Sequence, residues 1–185
     1  MAYYDKEHQS KINSFDFQWN GLSAIESLAK QYDIDDIAQD NNLKLLQTLV
    51  WFDFENQSGR EGSDAIDRYG NDWELKTANE DLVSGFSTNH HTNLERIAQF
   101  RRERWLFSIY SGINLKEVYA MSPRTLEPYF SEWTNKVNVK AASGMDNPHL
   151  NNPKIPIKFV RENGISVYPV NKNNPIDPAE ALKTI

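Results

Sequence analysis

Glu61-Gly62-Ser63-Asp64-Ala65-Ile66-Asp67, then the turn residues Tyr69-Gly70-Asn71, then Trp73-Glu74-Leu75-Lys76, form the stretch on which the reading of this chain turns. It predicts a β-hairpin over about 62–80. Side chains alternate along a strand, so Glu74 and Lys76 face one side while Trp73, Leu75 and Thr77 face the other. Asp64, on the preceding strand, is expected to lie across from Glu74. Two carboxylates so placed suit a hard divalent cation, and the ammonium beside them can reach the water that attacks. This is the equipment for cutting a phosphodiester, an anion that repels hydroxide and gathers more negative charge in its transition state. A divalent ion offsets that charge and lowers the pKa of a bound water. An acid, a gap and an acid-x-Lys is a loose pattern that a solvated Glu/Lys pair also satisfies. Glu74-Leu75-Lys76 is nevertheless the only acid-x-Lys triplet in the chain.

Outward from that stretch, 185 residues suggest one domain, or one domain with a small subdomain, and 39% hydrophobic residues can bury a substantial core. The absence of cysteine excludes disulfides, thiolate catalysis and cysteine-based zinc sites. Nothing at Met1–Glu7 reads as a signal peptide, and no apolar run approaches the ~18 residues that span a bilayer. The chain is expected to be soluble and cytoplasmic, with no membrane partner. A net charge of −6 argues against a protein that coats nucleic acid indiscriminately, since such proteins are usually basic. It leaves room for a site-specific binder, because basic residues gather at Arg96, Arg101, Arg102 and Arg104 and again at Lys136, Lys140, Lys154 and Lys158. A solvated helix face is the plain alternative for the arginines.

Along the chain, Leu22, Ile25, Leu28 and Ala29 carry helical spacing over 20–31, ending at Tyr32-Asp33. Leu43, Leu45, Leu46, Leu49, Val50 and Phe54 predict a second helix, with Asp40-Asn41-Asn42 as capping residues. After the hairpin, Thr92-Asn93 open a helix through about Arg102, with Ile97, Ala98 and Phe100 facing inward. Trp105–Tyr110 suits a buried central strand, with Val118–Met121 as its neighbour. Pro123 starts a helix whose apolar face is Leu126, Tyr129, Phe130 and Trp133, and 138–150 reads as a loop. Ile155–Val160 and Ile165–Val170 flank Glu162-Asn163-Gly164, an apparent hairpin. The tail, 171–185, is expected to be loosely held, with one or two helical turns at Pro178–Lys183. Strands and helices mix without strict alternation, which predicts an α+β or mixed α/β domain with a mixed central sheet flanked by helices.

Longer blocks carry more than these patterns. Gly59–Asp67, Glu74–Lys76, Gly85-Phe86-Ser87-Thr88-Asn89-His90-His91 and Asn151-Asn152-Pro153-Lys154-Ile155-Pro156, in this order between about residues 20 and 170, resemble the PvuII-type restriction endonucleases of the PD-(D/E)XK nuclease superfamily. The resemblance implies a single restriction-endonuclease-like domain over 1–185 with a mixed sheet flanked by helices. It also implies a type II enzyme that uses Mg²⁺ and cuts both strands of a palindromic duplex, CAGCTG, centrally to blunt ends. In such enzymes Asp64, Glu74 and the carbonyl of Leu75 hold metal, Lys76 completes the catalytic set, and Glu61 supports it. Asp67 also matches, although a turn aspartate is its better reading. Ser87, His90 and His91 would enter the major groove, where imidazole can meet guanine O6 and N7. Asn151 and Asn152, otherwise turn residues before Pro153, would read bases, a carboxamide matching adenine N6 and N7. Lys154 falls in the same DNA-binding segment. Asp40 would approach the minor groove, an N-cap being its alternative. The N-terminal helices, about 14–54, would form the surface of a homodimer on double-stranded DNA.

The sequence departs from the family at four places. Asn89 stands where the family has the first of three histidines, Phe100 replaces a tyrosine near the metal site, Val139–His149 is longer, and the C-terminal tail extends past the family counterpart. Two rivals remain in view: a DNA-binding protein that has lost catalysis, and a structure-directed or repair nuclease of the same superfamily. The intact Asp64, Glu74 and Lys76 weigh against the first, and the base-reading residues against the second.

Overall fold

A computed structural model describes residues 6–57, 62–169 and 176–183. The chain forms two compact units, residues 1–46 and 47–185. The first carries helix α1 (Lys6–Ala29), a single 3₁₀ turn at Lys30–Tyr32, and the opening of α2 (Asn42–Phe52). Asp33 closes the 3₁₀ turn in the left-handed region, with φ of 54°. The loop that follows is pinned by the Ile37 N–H, which donates to the Glu26 carboxylate at 3.0 Å. Ala29, Ile34 and Ile37 are buried, whereas Phe15, Phe17 and Trp19 stay 60%, 80% and 53% exposed. The cap of α2 falls on Asn41, whose carbonyl accepts from the N–H groups of Lys44 and Leu45. Asp40 sits one position outside, exposed and at φ of 48°, so the N-cap reading of Asp40 fails.

The second unit contains β1 (Phe54–Asn56), β2 (Ala65–Asp67), β3 (Asp72–Asn79), β4 (Gly85–Ser87), α3 (Leu94–Phe100), β5 (Arg104–Ser111) and β6 (Asn114–Met121). It continues with α4 (Pro123–Ala142), β7 (Lys154–Pro156), α5 (Ile157–Asn163), β8 (Ile165–Tyr168) and α6 (Pro178–Leu182). Six strands form a mixed sheet in the order β1-β2-β3-β5-β6-β8, in which only the β3–β5 pair is parallel. Strands β4 and β7 make a separate antiparallel ribbon. The fold is α+β, as the sequence implies.

Strand β5 is buried from Trp105 through Tyr110 because helices cover both of its faces. Trp105, Phe107 and Ile109 join α3 and α4 in one core with Ile97, Phe100, Leu126, Phe130 and Trp133. On the opposite face the Tyr110 hydroxyl bonds the Gln47 side chain of α2 at 3.0 Å. Phe86 ties the ribbon to the main sheet, its ring meeting Phe107 edge-on at 4.8 Å. The ends of α3 and α4 are set by side chains: Asn93 accepts from the Arg96 N–H, and Ser122 from the Thr125 N–H before Pro123.

Several expectations are corrected. Phe54 is not helical, because Asp53 at φ of 56° ends α2 and turns the chain into β1. Helix α4 runs on to Ala142, into the stretch expected to be loop. Ala98 is exposed, and its helix ends at Phe100. The hairpin expected around Asn163-Gly164 does not form: β7, α5 and β8 follow one another there. Gly164 has an ordinary extended φ, so no turn requires it. A Cβ at Gly164 would lie 2.7 Å from the Val160 carbonyl oxygen and 2.9 Å from Tyr119 Cβ, so glycine lets the end of α5 press against β6. Residues 176–183 are not loose. Asp177 caps α6, Ala179 is fully buried, and Asp177 pairs with Arg68 at 2.6 Å.

Candidate active site

The hairpin forms as expected, with Ala65 opposite Trp73 and Ile66 opposite Asp72. Asp67 is its staple. The carboxylate accepts from the N–H groups of Tyr69 and Asn71, from Asn71 Nδ2 and from Trp73 Nε1, all within 2.8–2.9 Å. Burial alone would raise the Asp67 pKa, yet these bonds outweigh it and hold the group below the usual carboxylate range. The turn-aspartate reading of Asp67 therefore stands.

That staple fixes the register one step further out. The Asp64 N–H donates to the Trp73 carbonyl at 3.0 Å, and the Leu75 N–H donates to Asp64 Oδ2 at 2.8 Å. Lys76 Nζ lies 2.6 Å from Glu74 Oε1 and 3.6 Å from Asp64 Oδ2. The three residues singled out by spacing thus converge on one face. Glu74 lies at the floor with no exposed surface, and Asp64 at the mouth with its side chain 37% exposed. Burial pushes the Glu74 carboxyl up, and Asp64 adds to this against the opposing pull of Lys76 and Arg96. Burial would lower Lys76, but Glu74 and Asp64 more than offset it, so the group remains an ammonium.

Arg96, which the sequence marks only as one of a basic run, and Glu103, which it does not single out, complete the cluster. Arg96, from the first turn of α3, donates through Nη2 to Glu74 Oε2 at 2.8 Å. Its Nη1 reaches the Gly62 carbonyl at 2.9 Å and Gln99 Oε1 at 3.0 Å, and lies 3.7 Å from Glu103 Oε1. Glu103 is buried, and its pKa is pushed up to about 7, first by desolvation and then by the neighbouring charge of Glu74. Three of the four arginines are therefore tied to acids rather than laid out on a solvated face, while Arg102 is exposed. Arg101 pairs with Glu127 at 2.8 Å, and Arg104 lies 3.7 Å from Asp67. Glu103 could have been noticed as the one acid among these arginines, immediately before the buried strand.

A second group assembles around the ribbon. Ser87 on β4 stands opposite Lys154 on β7, and both are exposed. Beyond the ribbon the two chain segments stay laced. Thr88 Oγ1 donates to the Pro153 carbonyl at 2.8 Å, the Asn152 N–H to the Asn89 carbonyl at 3.2 Å, and Thr92 pairs with Leu150. His90 Nδ1 consequently lies 3.1 Å from Asn151 Oδ1 and 3.2 Å from Asn152 Nδ2. His91 packs its ring against His149 at 4.4 Å. An open groove of about 670 Å³ runs from Arg96 past Gln99 to His90 and His91. Asp40 belongs to the other unit, and Glu61 lies outside the described residues.

Comparison with protein families matches residues 8–168 to the restriction endonuclease PvuII. The chain belongs to the PvuII restriction endonuclease family. It is accordingly a type II site-specific deoxyribonuclease that acts on DNA. Restriction endonucleases generally depend on a divalent metal. Among the described residues no helix is long and apolar enough to cross a membrane. No group of three or more acidic, histidine or cysteine side chains there is arranged to hold a metal by itself. The side chains that could hold a divalent ion here form an all-oxygen set: the Asp64 and Glu74 carboxylates, with the carbonyl of Leu75 next to Glu74 on β3. Glu74 Oε1 is buried and accepts no directed hydrogen bond beyond its ion pair with Lys76. Such a set fits Mg²⁺, which takes one or two protein carboxylates and keeps other positions for water and substrate phosphate. Phe100 carries no hydroxyl toward this site. It is fully buried, with the Arg96 guanidinium 4.6 Å above its ring.

Proposed function

We propose that this PvuII-family endonuclease requires Mg²⁺ and cuts both strands of CAGCTG at the centre, as a homodimer in the cytoplasm. Convergence of Asp64 and Glu74 on Lys76, with Arg96 linking Glu74 to the groove that reaches His90, carries the reading. Asp64, Glu74 and the Leu75 carbonyl would hold the ion, which when bound supplies charge for the phosphate and acidity for a water. Lys76, kept cationic by Glu74 and Asp64, orients the attacking water and steadies the charge that develops on the phosphate. Burial of Glu74 and Lys76 raises the strength of those interactions over their value in water. Glu61 is assigned a supporting role.

Ser87, His90, His91, Asn151 and Asn152 read the major groove, Lys154 contacts phosphate, and Asp40 approaches the minor groove. Support comes from the common edge shared by Ser87, Lys154, His90, Asn151 and Asn152. Neutral donors and acceptors there form a hydrogen-bond code, which accords with a net charge of −6. The hexamer itself rests on the resemblance of those residues to the family's readers. Two-fold symmetry of the site calls for two copies of the chain, and the exposed Phe15, Phe17 and Trp19 of α1 supply an apolar surface for the second.

Digestion of a fully sequenced plasmid in Mg²⁺, with sequencing of the ends, tests the proposal. Blunt ends within CAGCTG are expected. Discrete ends elsewhere would overturn the assignment of the reading residues, and binding without cleavage in Mg²⁺ or Mn²⁺ would overturn the assigned catalytic set.

A further inference from the structure

Resting on the metal-site reading above, we infer that Arg96 is a built-in counter-cation that holds Glu74 until a divalent ion takes its place, and that Glu103 is the seat to which its guanidinium then moves. Both oxygens of the fully buried Glu74 are engaged by cations, Oε1 by Lys76 at 2.6 Å and Oε2 by Arg96 at 2.8 Å. Each oxygen keeps a further lone pair, but an ion that ligates Glu74 lies beside both cations, and their repulsion favours the release of one of them. Lys76 is committed, since it leaves the same strand two residues on and also lies 3.6 Å from Asp64. Arg96 arrives from α3 and has a second carboxylate at hand, with Glu103 Oε1 3.7 Å from its Nη1.

The pair with Glu103 is half made. Arg96 Nε and Glu103 Oε2 are both buried, and neither has a hydrogen-bond partner. Turning the guanidinium from Glu74 toward Glu103 frees Glu74 Oε2 and lets these two orphaned atoms enter the forked pairing that guanidinium and carboxylate favour. The face of the Phe100 ring, 4.6 Å from the guanidinium carbon, supports the cation in either position. The displaced charge thus stays buried and paired. Arg96 and Glu103 are positioning residues in this scheme, acting through Glu74 and touching no substrate.

The test is calorimetric titration of Ca²⁺ into the full chain at pH 8 without DNA, for the natural protein, Arg96→Gln, Glu103→Gln, the double variant and Asp64→Asn. Arg96→Gln is expected to bind about tenfold more tightly, the order of one fixed charge beside the ion. Glu103→Gln is expected to bind about three- to tenfold more weakly, and to lose that effect to within about twofold once Arg96 is glutamine. Simple charge removal predicts the same two signs, so the coupling decides. Additive effects in the double variant would refute the seat at Glu103. Unchanged affinity in Arg96→Gln, with binding lost in Asp64→Asn, would refute the counter-cation and leave the metal site standing. Full binding by Asp64→Asn would instead refute the metal site itself. If Arg96→Gln does not fold, Arg96→Lys keeps the charge and loses the fork. The Glu103→Gln effect should shrink in its background, and persistence at full size would refute the proposal.

Discussion

The hairpin face and the ribbon edge are built by opposite means. At the hairpin face Glu74 is buried and Lys76 half-buried on β3, which pairs with β5 along its length and with β2 at its start. At the ribbon edge Ser87, Asn151 and Lys154 sit on a pair of three-residue strands and the loops beyond them, and most of the polar groups are neutral. Chemistry on an anion gains from low dielectric and fixed charge, which burial supplies. Reading a base needs a donor or acceptor standing free in a groove, and burial would spend it on the protein's own backbone. One wall, the contact of Phe86 with Phe107, joins the two regions.

That division predicts separable defects. The largest is expected from Lys76→Ala: cleavage should fall about 10³-fold, while binding of the cognate duplex in Ca²⁺ stays close to normal. Equal loss of binding and cleavage in a band-shift and digestion series would merge the two regions. Phe86→Ala attacks the wall between them and should cost about 3–5 kcal/mol in denaturant unfolding. A loss below about 1 kcal/mol would mean that the ribbon is not anchored through this ring.

A smaller effect belongs to the reading edge. Asn151→Ala should weaken binding to the cognate site by about 1–3 kcal/mol and leave non-cognate binding unchanged, as measured by competition. Asn151 is the cleaner choice over Asn152, which holds φ of 47°, where alanine would add backbone strain. Uniform weakening on every sequence would mark Asn151 as a backbone contact.

The smallest effect concerns pH. Glu103 has a folded pKa of about 7 against an ordinary 4.5, so the folded state holds this proton more tightly than the unfolded one. Its contribution is therefore favourable at low pH and is lost as pH rises from about 4.5 to 7. Glu103→Gln carries no such titration. Its melting temperature relative to the natural protein should climb by a few degrees between pH 5 and pH 8. A difference that stays flat over that range would place the ionised Glu103 in a better-paired setting than its buried, unpartnered Oε2 indicates.

How far the sequence led depended on whether a signal was local. Asp64, Glu74 and Lys76 were legible because strand alternation and one tight turn fix their relation, and Asp67 locks that turn. Trp105–Tyr110 was legible because an apolar run interrupted only by Ser108 has few places to go. Asn163-Gly164 misled because it carries the composition of a turn, while Gly164 answers to Tyr119, distant in sequence and adjacent in space. Arg96 and Glu103 were opaque for a related reason. Arginines in a row look solvated until the fold brings a buried carboxylate under one of them.

The bond from the Leu75 amide to Asp64 Oδ2 has a spectroscopic corollary. Whatever binds that oxygen competes with this backbone proton and with the Lys76 ammonium 3.6 Å away. The exchange rate and chemical shift of the Leu75 amide therefore form a native gauge of whether Asp64 is occupied, readable without DNA, without turnover and without an attached label.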